Sequence, residues 1–103
     1  MKKVDQIGPI VIYQHRNGHF IIHNTKKSFN KGHTHLKSRQ RSYEVAKNVI
    51  KNHFPLHWSD YFIESMIRLT TDERFAARLE HLKETRKGKD RYYYYYYNRG
   101  GRG

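Results

Sequence analysis

An Asn-Gly pair at positions 17 and 18 separates two apolar-rich runs within IVIYQHRNGHFIIHN, residues 10–24. Asn-Gly is the strongest short-range hairpin signal, because a two-residue type I′ turn needs positive φ at both central positions. With Asn17 and Gly18 in those places, Arg16 faces His19, Tyr13 faces Ile22 and Ile12 faces His23. Alternation along a strand then groups Val11, Tyr13, Phe20 and Ile22 on one face, and Ile10, Ile12, Ile21 and His23 on the other. A lone hairpin is marginal in water and needs a third strand or a helix. The chain that follows is patterned to supply both.

Before the hairpin, Met1 to Gln6 is polar and reads as a mobile lead-in. Gly8-Pro9 punctuates it, and Pro9 suits the start of an edge strand. After the hairpin, TKKSFNKG (25–32) is rich in turn formers and lysines, with Phe29 placed to tuck under the sheet. HTHLK (33–37) alternates as a short third strand, with Thr34 and Leu36 on one face and His33, His35 and Lys37 on the other. Ser38 or Ser42 can cap a first helix bearing Tyr43, Ala46, Val49, Ile50 and Phe54, which Pro55 ends. Ser59 can cap a second helix with Tyr61, Phe62, Met66, Ile67 and Leu69. Thr70 and Glu73 have capping-box spacing for a third helix, striped by Phe75, Leu79 and Leu82. The predicted architecture is α+β, one domain over 1–88: a three-stranded antiparallel sheet followed by three helices. Val11, Tyr13, Phe20 and Ile22 should face the helices and meet Val49, Ile50, Phe62, Met66, Phe75 and Leu79. The opposite face, with Ile10, Ile12 and Ile21, is too apolar to stand bare and calls for cover by the tail or a partner.

Residues 89–103 form a Tyr-rich basic tail of low complexity. Six consecutive tyrosines, 92–97, suit a strand beside Pro9–Gln14 or beside the third strand. Tyr92, Tyr94 and Tyr96 would then share one face.

The 103 residues carry a net charge of +12 with histidine neutral, which favours phosphates or another acidic surface. Charge is unevenly placed. Residues 1–54 hold eleven Lys and Arg against two acids, residues 55–85 four against six, and residues 86–103 six against one. Lys26, Lys27, Lys31, Lys37, Arg39, Arg41, Lys47 and Lys51 are the candidate phosphate contacts, joined by Arg91, Arg99 and Arg102 of the tail. Tyr13, His15, His19, His35, Trp58, Tyr92, Tyr94 and Tyr96 are the candidate stacking or partner contacts. Eight histidines raise the question of a metal. His19 and His23 stand ~13 Å apart along one strand, and no HExxH or Cys/His spacing completes a site. A metal-dependent nuclease also needs carboxylates near its histidines, and only Asp5 and Glu44 precede Asp60. The expectation is a protein with no metal, no cofactor and no catalysis. Cysteine is absent, which fits a reducing, cytoplasmic setting. No apolar run approaches the ~18 residues of a membrane span, and no apolar signal core follows Met1-Lys2-Lys3.

The hairpin, third strand and first helix, about residues 10–52 with the helix SYEVAKNVI, resemble the arm-binding domains of phage integrases, which read DNA with a three-stranded sheet. Residues 10–85, notably HNTKKSF..GHTHLK and LTTDERF, look like small uncharacterised proteins carried by phages of Gram-positive bacteria, a common source of inhibitors of host defence. Arg99-Gly100-Gly101-Arg102-Gly103 resembles the arginine–glycine tails of RNA-binding proteins. The phage-protein resemblance implies a source class, a phage-type protein acting in the host cytoplasm; with the basic charge, the expectation is an accessory protein that binds nucleic acid or a ribonucleoprotein. The alternative that resemblance implies is an inhibitor of a host defence nuclease, of anti-CRISPR type. It would act through guide RNA or through protein contacts around Trp58, Tyr61 and Phe62.

Overall fold

The computed structural model describes residues 1–55 and 59–85. The fold is α+β: a four-stranded antiparallel sheet, β1 Lys2–Ile7, β2 Ile10–Gln14, β3 Phe20–Asn24 and β4 His33–Leu36, in the order β1-β2-β3-β4. Three helices follow: α1 Arg39–Lys51, α2 Asp60–Leu69 and α3 over residues 73–85.

The strand that the sequence reading left out is β1. Its lysines and a bulge between Lys3 and Asp5 disguise it, but Val4 and Ile7 pack against the core. It joins β2 through Gly8-Pro9, with Ile7 opposite Ile10 and Gly8 at φ +55°, the backbone that a tight II′-like hairpin turn requires of its first residue. The place beside Pro9–Gln14 is therefore filled by β1, not open to another strand. The tyrosine run itself lies outside the described residues.

The β2–β3 register also differs from the expectation, by one residue. Gly18 N donates to His15 O (3.1 Å) and His15 N to His19 O (2.8 Å). Gly18 has φ +76°, while Asn17 is not in the positive-φ region. This is a three-residue loop, a type I turn closed by a left-handed glycine, rather than a two-residue I′ turn. Tyr13 now pairs with Ile21, Ile12 with Ile22 and Val11 with His23. A slip of one residue reverses the faces of β2 relative to β3. Ile10, Ile12 and Ile22 share one face with Thr34 and Leu36, and join Val45, Ala46, Val49, Ile63, Met66, Leu69, Phe75 and Leu79 in a single core. Val11 and Tyr13 face the other way, with Ile21. The slip gathers Ile10, Ile12 and Ile22 under the helices and leaves Ile21 with the imidazoles on the other face.

Ser38 caps α1, its Oγ accepting from Arg41 N (3.1 Å), and Asn52 closes it in the left-handed conformation at φ 54°. The inward stripe is Ser42, Val45, Ala46 and Val49, so Tyr43 and Ile50 are exposed (45% and 43%) rather than core. Phe62 is half-buried at the core's edge. The cap of α3 is Asp72, not Thr70: Asp72 Oδ1 accepts from Arg74 N and Phe75 N, both at 3.0 Å. Those bonds, that to Phe75 foremost, hold its carboxyl below the usual range.

A set of reciprocal bonds fixes α2 to the β3–β4 loop. Asn24, 3% exposed, donates its side-chain amide to Leu69 O (2.7 Å) and accepts from Lys26 N (3.0 Å). Lys27 Nζ reaches Arg68 O (2.7 Å) and Thr70 O (3.2 Å). Arg68 answers, donating to His33 O and Asn30 O, each at 2.8 Å. Three carbonyls that a helix end leaves open are thereby satisfied. Gly32 is required here, since a Cβ would stand 2.5 Å from the Cβ of Lys27.

Two stability outcomes follow, both read by urea denaturation. Asn24→Ala leaves the buried Leu69 carbonyl unpaired and should cost about 1–3 kcal/mol. Gly18→Ala forces a side chain into the left-handed region and should cost about 1–2 kcal/mol, while Asn17→Ala stays within about 0.5 kcal/mol. Equal losses at both turn positions would restore the two-residue turn.

Candidate functional site

The helices cover one face of the sheet. On the other, two cross-strand rows follow from the register: Tyr13–Ile21–His35, and Val11–His23–His33. His15 and His19 face each other just beyond the strand ends. Five of the eight histidines in the chain thus gather on one surface. Val11 and Ile21 retain only 6% and 4% exposure although they lie outside the core cluster.

The rings are held in place. Phe29 does not tuck into the core. It is 40% exposed and stacks on His33, with centroids 4.1 Å apart and planes 6° from parallel. His23 meets Phe29 edge-on at 5.3 Å, and His35 meets His33 edge-on at 5.1 Å. His23 Nε2–H donates to Lys27 O (2.9 Å), and His33 Nδ1–H donates to Phe29 O. In the neutral rings these bonds leave His23 Nδ1 and His33 Nε2 as acceptors. Among the described residues no group of three His, Asp or Glu side chains is arranged to hold a metal ion.

Charge is sorted between the layers. Every carboxylate in the described residues except Asp5 belongs to a helix or its flanking turn. Asp5 is turned to α1, accepting from Arg39 Nε (2.9 Å). Among the described residues the ring-bearing face therefore carries no acid, while Lys3 lies opposite Tyr13 on it, Arg16 stands in the hairpin loop and Lys37 has the parity of His35 on β4.

The expected basic set divides accordingly. Lys26, Lys31 and Lys37 are exposed on or after the β3–β4 loop. Lys47 and Lys51 are exposed on α1, in the other layer. Lys27 is a helix-end ligand instead of a free cation, and burial, then the charge of Arg68, pulls its ammonium below the ordinary lysine value. Arg39 bonds Asp5 and Val4 O (3.0 Å), and Arg41 pairs with Glu44 (2.9 Å) and lies over the Phe62 ring. Of the stacking candidates, Tyr13, His15, His19 and His35 do share a face. Trp58, Tyr92, Tyr94, Tyr96, Arg91, Arg99 and Arg102 lie outside the described residues.

Lys3, Arg16, His23, Phe29 and His33 belong to this surface and were absent from the predicted set. His33 has the same parity as His35, so alternation alone assigns it. Phe29 carried no such signal, because its place comes from the loop.

No helix among the described residues is long and apolar enough to cross a membrane. No protein-family model, curated protein or solved structure matches the chain.

The imidazoles repel one another when charged. His35 is held below the usual histidine value, first by burial, then by His33, His15 and His19. Above about pH 6.5 both folded and unfolded forms are neutral. As pH falls through that value the unfolded chain takes up a proton that folded His35 resists, so acid erodes stability. NMR titration should place the His35 midpoint below about 6.5, and His35→Gln should lessen the loss of stability between about pH 7.5 and 5.5. A midpoint at or above the free value would contradict this arrangement.

Proposed function

We propose that this chain is a non-catalytic, basic accessory protein that binds nucleic acid, free or within a ribonucleoprotein, through the helix-free face of its sheet. The observation that carries the reading is coincidence: among the described residues, the face that bears the rings is also the face without carboxylates. A polyanion approaching it meets Lys3, Arg16, Lys37 and the nearby Lys31. Cation clusters of this kind supply the salt-dependent part of nucleic-acid affinity, and aromatic rings add contacts that salt does not screen.

A second reading, an inhibitor of a host defence nuclease, is favoured by a different place. Tyr61 on α2 is 52% exposed with Phe62 beside it at 6.1 Å, and tyrosine is enriched at protein–protein hot spots. Pull-down from bacterial lysate with and without nuclease treatment separates the two. A partner lost on nuclease treatment supports nucleic-acid binding, and a protein retained through it supports inhibition.

The face itself is tested by charge reversal. Binding should fall with salt by about 0.7–0.9 log units per log unit of salt for each phosphate contact. Lys31→Glu, Lys37→Glu and Arg16→Glu should each weaken binding and flatten the slope. Lys47→Glu and Lys51→Glu on α1 should change it little. Larger effects from the α1 pair would move the interface to the helices, and no affinity for DNA or RNA at about 50 mM salt would end this reading.

A further inference from the structure

We infer that the occupant of the sheet face is single-stranded RNA, its bases stacked on Phe29, His35 and Tyr13 and its ribose hydroxyls directed at the imidazole acceptors. This rests on the nucleic-acid reading above and narrows it in two respects, strandedness and sugar.

Strandedness follows from which surfaces are offered. In a duplex each base lies between its neighbours, so only groove edges and backbone are available to a protein. Unpaired bases expose their flat faces, and flat rings are what this sheet presents. Phe29 stacks on His33 at 4.1 Å, meets His23 at 5.3 Å and is still 40% exposed, so its ring keeps surface that a base can contact. His35 is exposed on β4. Tyr13 lies two strands away in the same row, with Ile21 between. Strands are spaced about 4.8 Å apart, so His35 and Tyr13 are separated by about 10 Å. Successive bases can cross that interval only when unstacked from each other, which a paired helix forbids. Lys3, Lys31 and Lys37 border the row and suit the phosphates.

The sugar follows from hydrogen-bonding capacity. His23 gives its Nε2–H to Lys27 O, and His33 gives its Nδ1–H to Phe29 O. Each neutral ring has one nitrogen left, and that nitrogen can only accept. Phosphate oxygens offer no donor. Base N–H groups donate in DNA and RNA alike, and the ribose 2′-hydroxyl is the donor that RNA alone adds.

The full chain is titrated by fluorescence anisotropy with end-labelled oligonucleotides of about 12 nucleotides, at one salt concentration: single-stranded RNA, single-stranded DNA of the same sequence, and the RNA duplex. The expected order is RNA strand tightest, DNA strand weaker, duplex weakest. His35→Ala and Phe29→Leu should each weaken the RNA strand about tenfold and leave the salt slope unchanged, since neither removes a charge. Phe29→Tyr, which keeps a ring, should retain affinity. Where Phe29→Leu disturbs the loop, as a shifted melting curve would show, exposed His35 carries the test. A duplex bound as tightly as the strand overturns this inference and leaves the nucleic-acid reading standing. So does a DNA strand equal to the RNA strand, or a His35→Ala protein with undiminished affinity. Failure of all three oligonucleotides to bind overturns both.

Discussion

The buried amide of Asn24 is the contact on which the layering depends. It lies at the end of β3 and satisfies the carbonyl at the last residue of α2, 45 positions further along the chain. Apolar packing alone is non-directional. It brings Ile10, Ile12 and Ile22 under the helices but does not set where α2 stops relative to the sheet. The bonds of Asn24, Lys27 and Arg68 do set it: Asn24 closes a buried carbonyl that would otherwise be stranded, and Lys27 and Arg68 tie the same helix end to the loop at the surface. Thr34 and Ser65 add a buried hydroxyl pair at 2.9 Å in the same interface. With the C-terminal end of α2 so placed on one face of the sheet, the rings lie on the opposite one.

The edges of the sheet are closed by the same helices. On β4, the carbonyls of His33 and His35 accept from Arg68 and from the Tyr61 hydroxyl. On β1, the carbonyl of Val4 accepts from Arg39, close to a bulge between Lys3 and Asp5. Unpaired strand edges invite pairing with other chains, and lysines, bulges and covering side chains are the usual deterrents. The two edges are thus poor places for a further strand to add. Arg39 and Arg68, which composition alone would count as phosphate ligands, act as fasteners within the fold.

The sequence displayed the hairpin, the β4 alternation, the Ser38 cap and the three helical segments, because each has a local signal a few residues long. It did not display β1, whose lysines match the exposure of an edge strand and resemble a loose terminus. The hairpin register differs because Asn-Gly serves two turns, which are told apart by the φ of Asn17 and by whether Arg16 belongs to the loop. That choice depends on which faces the isoleucines can bury, a question settled by helices far along the chain. The site was partly legible for the same reason. His35 and Lys37 follow from parity, whereas the demotion of Lys27 and the placement of Phe29 arise from contacts with α2 and within a loop.

The strand order β1-β2-β3-β4 also bears on synthesis. Each strand pairs with its neighbour in the chain, so the sheet needs only short loops to close and can assemble as soon as those residues have left the ribosome. The segments that shield Ile10, Ile12 and Ile22, and those that close the edges, are translated afterwards. For that interval the nascent sheet is apolar on one side and unfastened at its rims, the state in which a partly made protein is most prone to associate. Like charges repel, so the high positive charge of the first half of the chain opposes such association until α1 and α2 arrive.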